Sequence, residues 1–227
     1  MIKAVIFDLD NTLLNFSKMK QYAVEASIHG MIEAGLEMSP EQAQEKIEQI
    51  YSVKGVEYQQ VFDDFITKEI GTLDHKLLAA GIVAYRKAKE ACLVLYPNVK
   101  STLIKLAKQG LLLGVVSDAP AREAWKRICY LSLHHFFDAV VTFEDTGVHK
   151  PSAKPFQLIV KRLGITARES LMLGDWPERD VIGAKEVGMK TAFARYGDRF
   201  GTKHSGADYD LDDFSQLLDI IDAENKK

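Results

Sequence analysis

Two carboxylates stand two positions apart near the start of the chain, Asp8 and Asp10, in Phe7-Asp8-Leu9-Asp10-Asn11-Thr12. They follow Val5, Ile6 and Phe7, an uncharged β-branched and aromatic run of the kind buried on both faces of a parallel sheet. Ligands of such sheets sit outside the carboxyl ends of the strands, which is where Asp8 falls. Carboxylates this close repel one another and call for a cation. Hard oxygen ligands favour Mg²⁺, which takes one or two carboxylates, several waters and the oxygens of a phosphate.

Similar polar residues close the later apolar runs. Ser117-Asp118 follows Leu111–Val116, and His149-Lys150-Pro151 comes after Ala139–Phe143. Gly174-Asp175 ends Ser170–Leu173, with Asp180 shortly behind in Asp175-Trp-Pro-Glu-Arg-Asp180. In a doubly wound sheet these positions converge however far apart they lie in sequence. A hydroxyl, a lysine and several carboxylates gathered at one edge stabilise a fold poorly. They suit a phosphate and its metal well.

The elements that must position them have two grammars. From Leu95 onward helices alternate with strands: Pro97–Gln109, Ala121–Leu131 (with Trp125, Ile128 and Cys129 inward), Pro155–Leu163, Val181–Val187 and Asp212–Ala223 are helical, and Lys190–Ala194 and Tyr209–Leu211 are strands. That alternation predicts an α/β, three-layer Rossmann-like core with a mostly parallel sheet covered on both faces. Between Phe16 and Cys92 no strand pattern occurs. Four amphipathic stretches replace it, carried by Met19, Tyr22, Ala23 and Ala26, then Ala43, Ile47, Ile50 and Tyr51. The third is Tyr58, Val61, Phe62, Phe65, Ile66 and Ile70, and the fourth Leu77, Leu78, Ile82 and Tyr85. They read as an all-helical four-helix insertion, 16–92, in a core of 1–15 and 93–227. Ser39-Pro-Glu-Gln42 starts its second helix as a capping box with proline at the first helical position.

The bulk composition fits. The chain has 227 residues, 47% hydrophobic and 27% charged, with a formal net charge of -3. Nothing in that balance recruits nucleic acid or an anionic membrane. Cys92 and Cys129 form neither a zinc site nor a disulfide framework. No leader pattern and no membrane-spanning run is present, so a cytoplasmic protein is expected.

In order, Asp8-Leu-Asp-Asn-Thr12, Ser117, Lys150-Pro151 and Gly174-Asp175 with Asp180 resemble the four motifs of the haloacid-dehalogenase-like hydrolase superfamily. The insertion between the first two is similar to the helical cap of its phosphoglycolate-phosphatase-like branch. The resemblance implies a Mg²⁺-dependent phosphatase that hydrolyses a small phosphorylated metabolite through an aspartyl-phosphate. It implies Asp8 as nucleophile and Asp10 as general acid and base, with Asp8, Asp175 and the backbone carbonyl of Asp10 toward the metal, and Asp180 ligating that metal through water or orienting Lys150. Ser117, Lys150 and the amides of Leu9 and Asp10 would hold the phosphate. The cap would close over the site, hinged near Leu14–Ser17 and Ala88–Leu95. Asp10 argues against a dehalogenase, which needs no acid there; a phosphosugar mutase or a binding scaffold with little turnover is the alternative.

Other residues are read more plainly. Thr12 is expected to bond its local turn, and His134-His135 to sit at a loop or helix end rather than on a metal. His75 and Trp176 are candidates for a substrate rim, and Tyr22, Tyr58, Phe62 and Tyr85 for packing within the helices. Asp118 and Arg179 depart from the commonest family pattern, which has Asn at the first place and Asn or another small polar residue at the second. Both put charge near the site.

Overall fold

The computed structural model describes residues 1–226. Contacts divide the chain into two compact units, Met1–Asn15 with Leu95–Lys227, and Phe16–Val94. Leu93 and Val94, assigned to the core from the sequence, fall with the helical unit.

The first unit opens with β1 (Ala4–Phe7), whose four residues are all buried. The chain then enters the helical unit, α1 (Phe16–Glu33), α2 (Pro40–Lys54), α3 (Val61–Ile70) and α4 (His75–Cys92). Returning, it builds α5 (Val99–Lys108), β2 (Leu112–Val116), α6 (Ala121–Tyr130), β3 (Ala139–Val141), a short α7 (Phe143–Thr146) and α8 (Ala153–Leu163). Then come β4 (Ser170–Gly174), α9 (Ile182–Glu186), β5 (Lys190–Ala194), β6 (Tyr209–Leu211) and α10 (Leu217–Asn225).

The six strands form one sheet in the order β3-β2-β1-β4-β5-β6, every pairing parallel. β1 lies between β2 and β4, so the strand order reverses beside it and a crevice opens at its carboxyl end. Alternate residues of β1 serve the two faces. Ile6 packs with Phe156 and Ile159 of α8 on one side, while Phe7 stacks on Phe214 on the other, with ring centroids 5.7 Å apart. The chain leaves and re-enters this unit side by side, as Leu14 bridges Leu95 and the Tyr96 amide donates to Leu13.

Several sequence expectations shift. The helix predicted from Pro97 starts at Val99, β3 stops at Val141, and Asp212–Ala223 divides into a 3₁₀ turn at Phe214–Gln216 followed by α10. α6 is rotated from its expected face: Trp125 and Cys129 are exposed, and Glu123, Ala124, Arg127 and Ile128 are buried. A hydrophobicity pattern counts Arg127 as surface, yet it is buried against the half-buried Asp10 carboxylate.

The helical unit follows ordinary amphipathic rules. Met31, Ile47, Phe65 and Ile66 are fully buried at its centre, and the tyrosines Tyr51, Tyr58 and Tyr85 pack around them. Ser39 caps α2 in the expected capping box. Tyr22 and Ile70, expected on the apolar faces, are exposed. Among the described residues no helix is long and apolar enough to cross a membrane.

Candidate active site

The carboxyl end of β1 is extended by one rung: the Asp8 amide donates to Leu173 O at 2.9 Å, beside β4. This fixes Asp8 at the mouth of the crevice, next to Asp175 at the end of β4. On the other side the Ser117 amide donates to Val141 O at 2.9 Å, which places the residues after β2 at the same edge. Asn11 then turns the chain sharply, with φ at 62°, in the left-handed region that Asn tolerates better than most residues.

Lys150 ties these strand ends together. Its Nζ donates to Asp8 Oδ1 at 2.6 Å, to Asp180 Oδ1 at 2.6 Å and to Val116 O at 3.2 Å, which uses all three ammonium protons. Burial alone would push the ammonium toward neutrality. The charges of Asp180 and Asp8 outweigh it and hold the Lys150 pKa well above the usual lysine range.

Asp180 is positioned by a single turn of π-helix, Pro177–Val181, a local widening common at functional sites. Its Oδ2 accepts the Trp176 amide at 3.0 Å. Gly174 makes room for it: a Cβ there would stand 2.3 Å from the Asp180 carboxylate. Gly197 has a similar role, since its Cβ would sit 1.8 Å from Asn11 O and 3.2 Å from Asp175 Cβ.

Asp175 is the anomalous group. Its Oδ1 accepts the Thr12 hydroxyl at 3.3 Å, but its buried Oδ2 has no hydrogen-bond partner. Burial, then the charges of Asp8 and Asp180, push its pKa up to about 9, and burial with Asp8 pushes Asp180 up to about 6 against the pull of Lys150. One ligand atom from each of Asp8, Asp175 and Asp180 lies within 4.8 Å of the others. With all three ionised, the buried carboxylates would exceed the charge of the one lysine by two, the charge of one divalent cation, and the raised pKa of Asp175 reflects that excess. This donor set, with its unsatisfied oxygen, fits a hard dication such as Mg²⁺.

A profile of the haloacid dehalogenase-like hydrolases matches residues 5–194. The chain belongs to that family. It is 36% identical to a glyceraldehyde 3-phosphate phosphatase from Methanocaldococcus jannaschii over 97% of each chain. It is 34% identical to the enzyme of that name from Methanothermobacter thermautotrophicus, over 97% of this chain and all of the relative. Among solved structures, a HAD phosphatase from Thermococcus onnurineus superposes with a TM-score of 0.70 at 26% identity, covering 97% of this chain and 98% of that one.

Within this family fold the expected residues take up distinct positions. Asp8, Lys150, Asp175 and Asp180 come together in one buried cluster. The Asp10 carboxylate lies outside the metal-type cluster, paired instead with Arg127 through Oδ2 and Nη1 at 2.6 Å. Ser117 Oγ accepts the Ala119 amide at 3.1 Å, which leaves its own proton to donate. Thr12 corrects the local-turn expectation, because its hydroxyl donates to Asp175 rather than to neighbouring backbone. Trp176 is half-buried and packs against Phe200 at 4.7 Å. The rings of His134 and His135 lie tilted against each other after α6, with centroids 3.9 Å apart, and no metal-type group among the described residues includes them. His75 is the exposed first residue of α4.

Two contributors were missed in the sequence. Arg127 was hidden by its charge; the available signal was its place on the buried stripe of α6, three and four residues from Ala124 and Glu123. Tyr196 donates its hydroxyl to Thr12 O at 3.0 Å and packs edge-on against Tyr96, with centroids 4.9 Å apart, walling the Asp175 side of the crevice. It had no legible signal.

Proposed function

We propose that this chain is a phosphatase that hydrolyses small phosphate monoesters in the cytoplasm through an aspartyl-phosphate on Asp8. The observation that carries this is the buried cluster in which Lys150 bridges Asp8 and Asp180 beside the partly unsatisfied Asp175.

Lys150 holds one Asp8 oxygen, which leaves the other for phosphorus. Asp8 attacks, the phosphorus–oxygen ester bond breaks, and the leaving alkoxide takes a proton from Asp10. Asp10, now a carboxylate, removes a proton from water as that water attacks phosphorus. The acyl-phosphate opens, and inorganic phosphate and free Asp8 result. Lys150, the Ser117 hydroxyl and the amides of Leu9 and Asp10 bind the phosphoryl oxygens and offset the repulsion between nucleophile and substrate. Mg²⁺, held by Asp8, Asp175, Asp180 and the Asp10 carbonyl, would neutralise phosphoryl charge. Arg127 fixes the Asp10 side chain between the two proton transfers. The helical unit, Phe16–Val94, serves as the cap that selects the leaving group. Glyceraldehyde 3-phosphate is the first substrate to try, because relatives of that name match nearly the whole chain.

The test is phosphate release from a panel of triose, sugar and nucleoside monophosphates, with Mg²⁺ and with EDTA, for wild type and Asp8→Asn. Metal-dependent release lost in Asp8→Asn is expected. Absence of release from every ester would overturn the reading in favour of a mutase or a binding scaffold.

A further inference from the structure

The two residues that depart from the commonest family pattern touch each other. Asp118 Oδ2 accepts from Arg179 Nη1 at 3.0 Å, across 61 residues of sequence. The other oxygen, Oδ1, accepts the backbone N–H of Lys150 at 2.9 Å. One half-buried carboxylate therefore joins three segments: the turn after β2, the loop carrying Lys150, and the π-helical turn after β4 that carries Asp180. Arg179 is itself seated, its guanidinium carbon 3.9 Å from the centre of the Trp176 ring. The His149 ring stacks on Phe143 and brings Nδ1 to 3.7 Å from Asp118 Oδ1, on the outer side of the same carboxylate.

The geometry has a chemical logic. An asparagine at 118 could still offer a carbonyl oxygen to the Lys150 amide, but its own N–H groups would face the guanidinium of Arg179. With arginine at 179, a carboxylate at 118 satisfies both neighbours at once. Resting on the hydrolase reading above, we propose that Asp118 is a positioning residue that fixes the Lys150 backbone, and that Arg179 orients its carboxylate. Lys150 must place one ammonium against both Asp8 and Asp180, so a small displacement of its backbone breaks two contacts together. The pair sets the rate of turnover rather than the affinity for the leaving group.

The experiment is steady-state kinetics of the full chain with Mg²⁺ and its best small phosphomonoester, for wild type, D118A, D118N, R179Q and the double variant D118N/R179Q. D118A should lower kcat about 10- to 100-fold with KM changed by less than about threefold, as loss of a group that orients a reacting residue does. D118N, which keeps the acceptor for the Lys150 amide, should recover kcat to within about threefold of wild type. In the double variant the D118N loss should vanish into that of R179Q, since the charge at 118 acts through the arginine. If D118A folds poorly, this cycle of milder variants decides alone. D118A with wild-type kcat, D118N as slow as D118A, or losses that multiply in the double variant would overturn the positioning role while leaving the hydrolase reading intact. A wild-type chain that releases no phosphate overturns both.

Discussion

The two units of this chain solve opposite problems. In the helical unit the buried side chains are almost all apolar; among the described residues Ser27 is its one fully buried polar side chain. The sheet unit buries Asp8, Thr12, Ser117, Arg127, Lys150, Asp175 and Asp180, most of them at one edge. The helical interior could be built from many apolar sequences of the right volume. The strand ends cannot, because each charge there is tolerable only with its partner present. One unit is organised by the hydrophobic effect, the other by compensation of charge. Stability and chemistry should therefore respond to different substitutions.

The largest separation is expected from Lys150→Met. Removing the one cation among three buried carboxylates should cut kcat at least about a thousandfold, while saturating Mg²⁺ keeps the protein folded. Rapid-quench phosphate assays against a circular-dichroism melt would show this, and near-normal turnover would break the comparison. The counterpart in the helical unit is Phe65→Ala. Emptying that buried site should cost about 3–5 kcal/mol in urea unfolding of the unit that contains it. Mg²⁺ affinity of the sheet unit, measured by calorimetry, should not change; a large drop would show that the units are not independent in this respect.

A subtler test is Gly174→Ala. The added methyl would overlap the Asp180 carboxylate, so turnover should fall about a hundredfold with a loss of about 1–3 kcal/mol in stability. The smallest effect concerns pH. Native Asp175, with its pKa pushed up to about 9 against an ordinary 3.8, holds a proton that the unfolded chain has released over the window between those values. Without metal, stability then falls as pH rises through that window. The gain in melting temperature on adding Mg²⁺ should accordingly be larger, by a few degrees, near pH ~8.5 than near pH ~5.5. Equal gains at both would argue that Asp175 is already ionised in the metal-free protein.

The same contrast explains what could be read from the sequence. The strands, the helical insertion and the residues at strand ends were visible because each depends on local pattern: an apolar run, a period, a polar residue where the run stops. Lys150, Asp175 and Asp180 needed only the rule that carboxyl ends of parallel strands share one edge. Partnership across the sequence was not visible. Arg127 meets Asp10 across 117 residues, on a face of α6 that buries it while Trp125 and Cys129 are exposed. Asp118 and Arg179 looked like two separate oddities until one was found holding the other. The target of the Thr12 hydroxyl, Asp175, lies 163 residues on. Charge compensation in the interior is long-range in sequence, and a single chain read in order has no period that reveals it.

The proposed chemistry turns on Asp8 carrying the phosphoryl group. The most direct measurement is acid-quenched mass spectrometry of the Asp10→Asn variant after brief mixing with Mg²⁺ and an aryl phosphate, whose leaving group departs without a proton from Asp10, because removing the proposed base for water should then let the intermediate accumulate. The peptide containing Asp8 should gain the mass of one phosphoryl group, in an amount approaching the enzyme present and absent from Asp8→Asn. Phosphate release by wild type with no such adduct on Asp8, or an adduct on another residue, would contradict it.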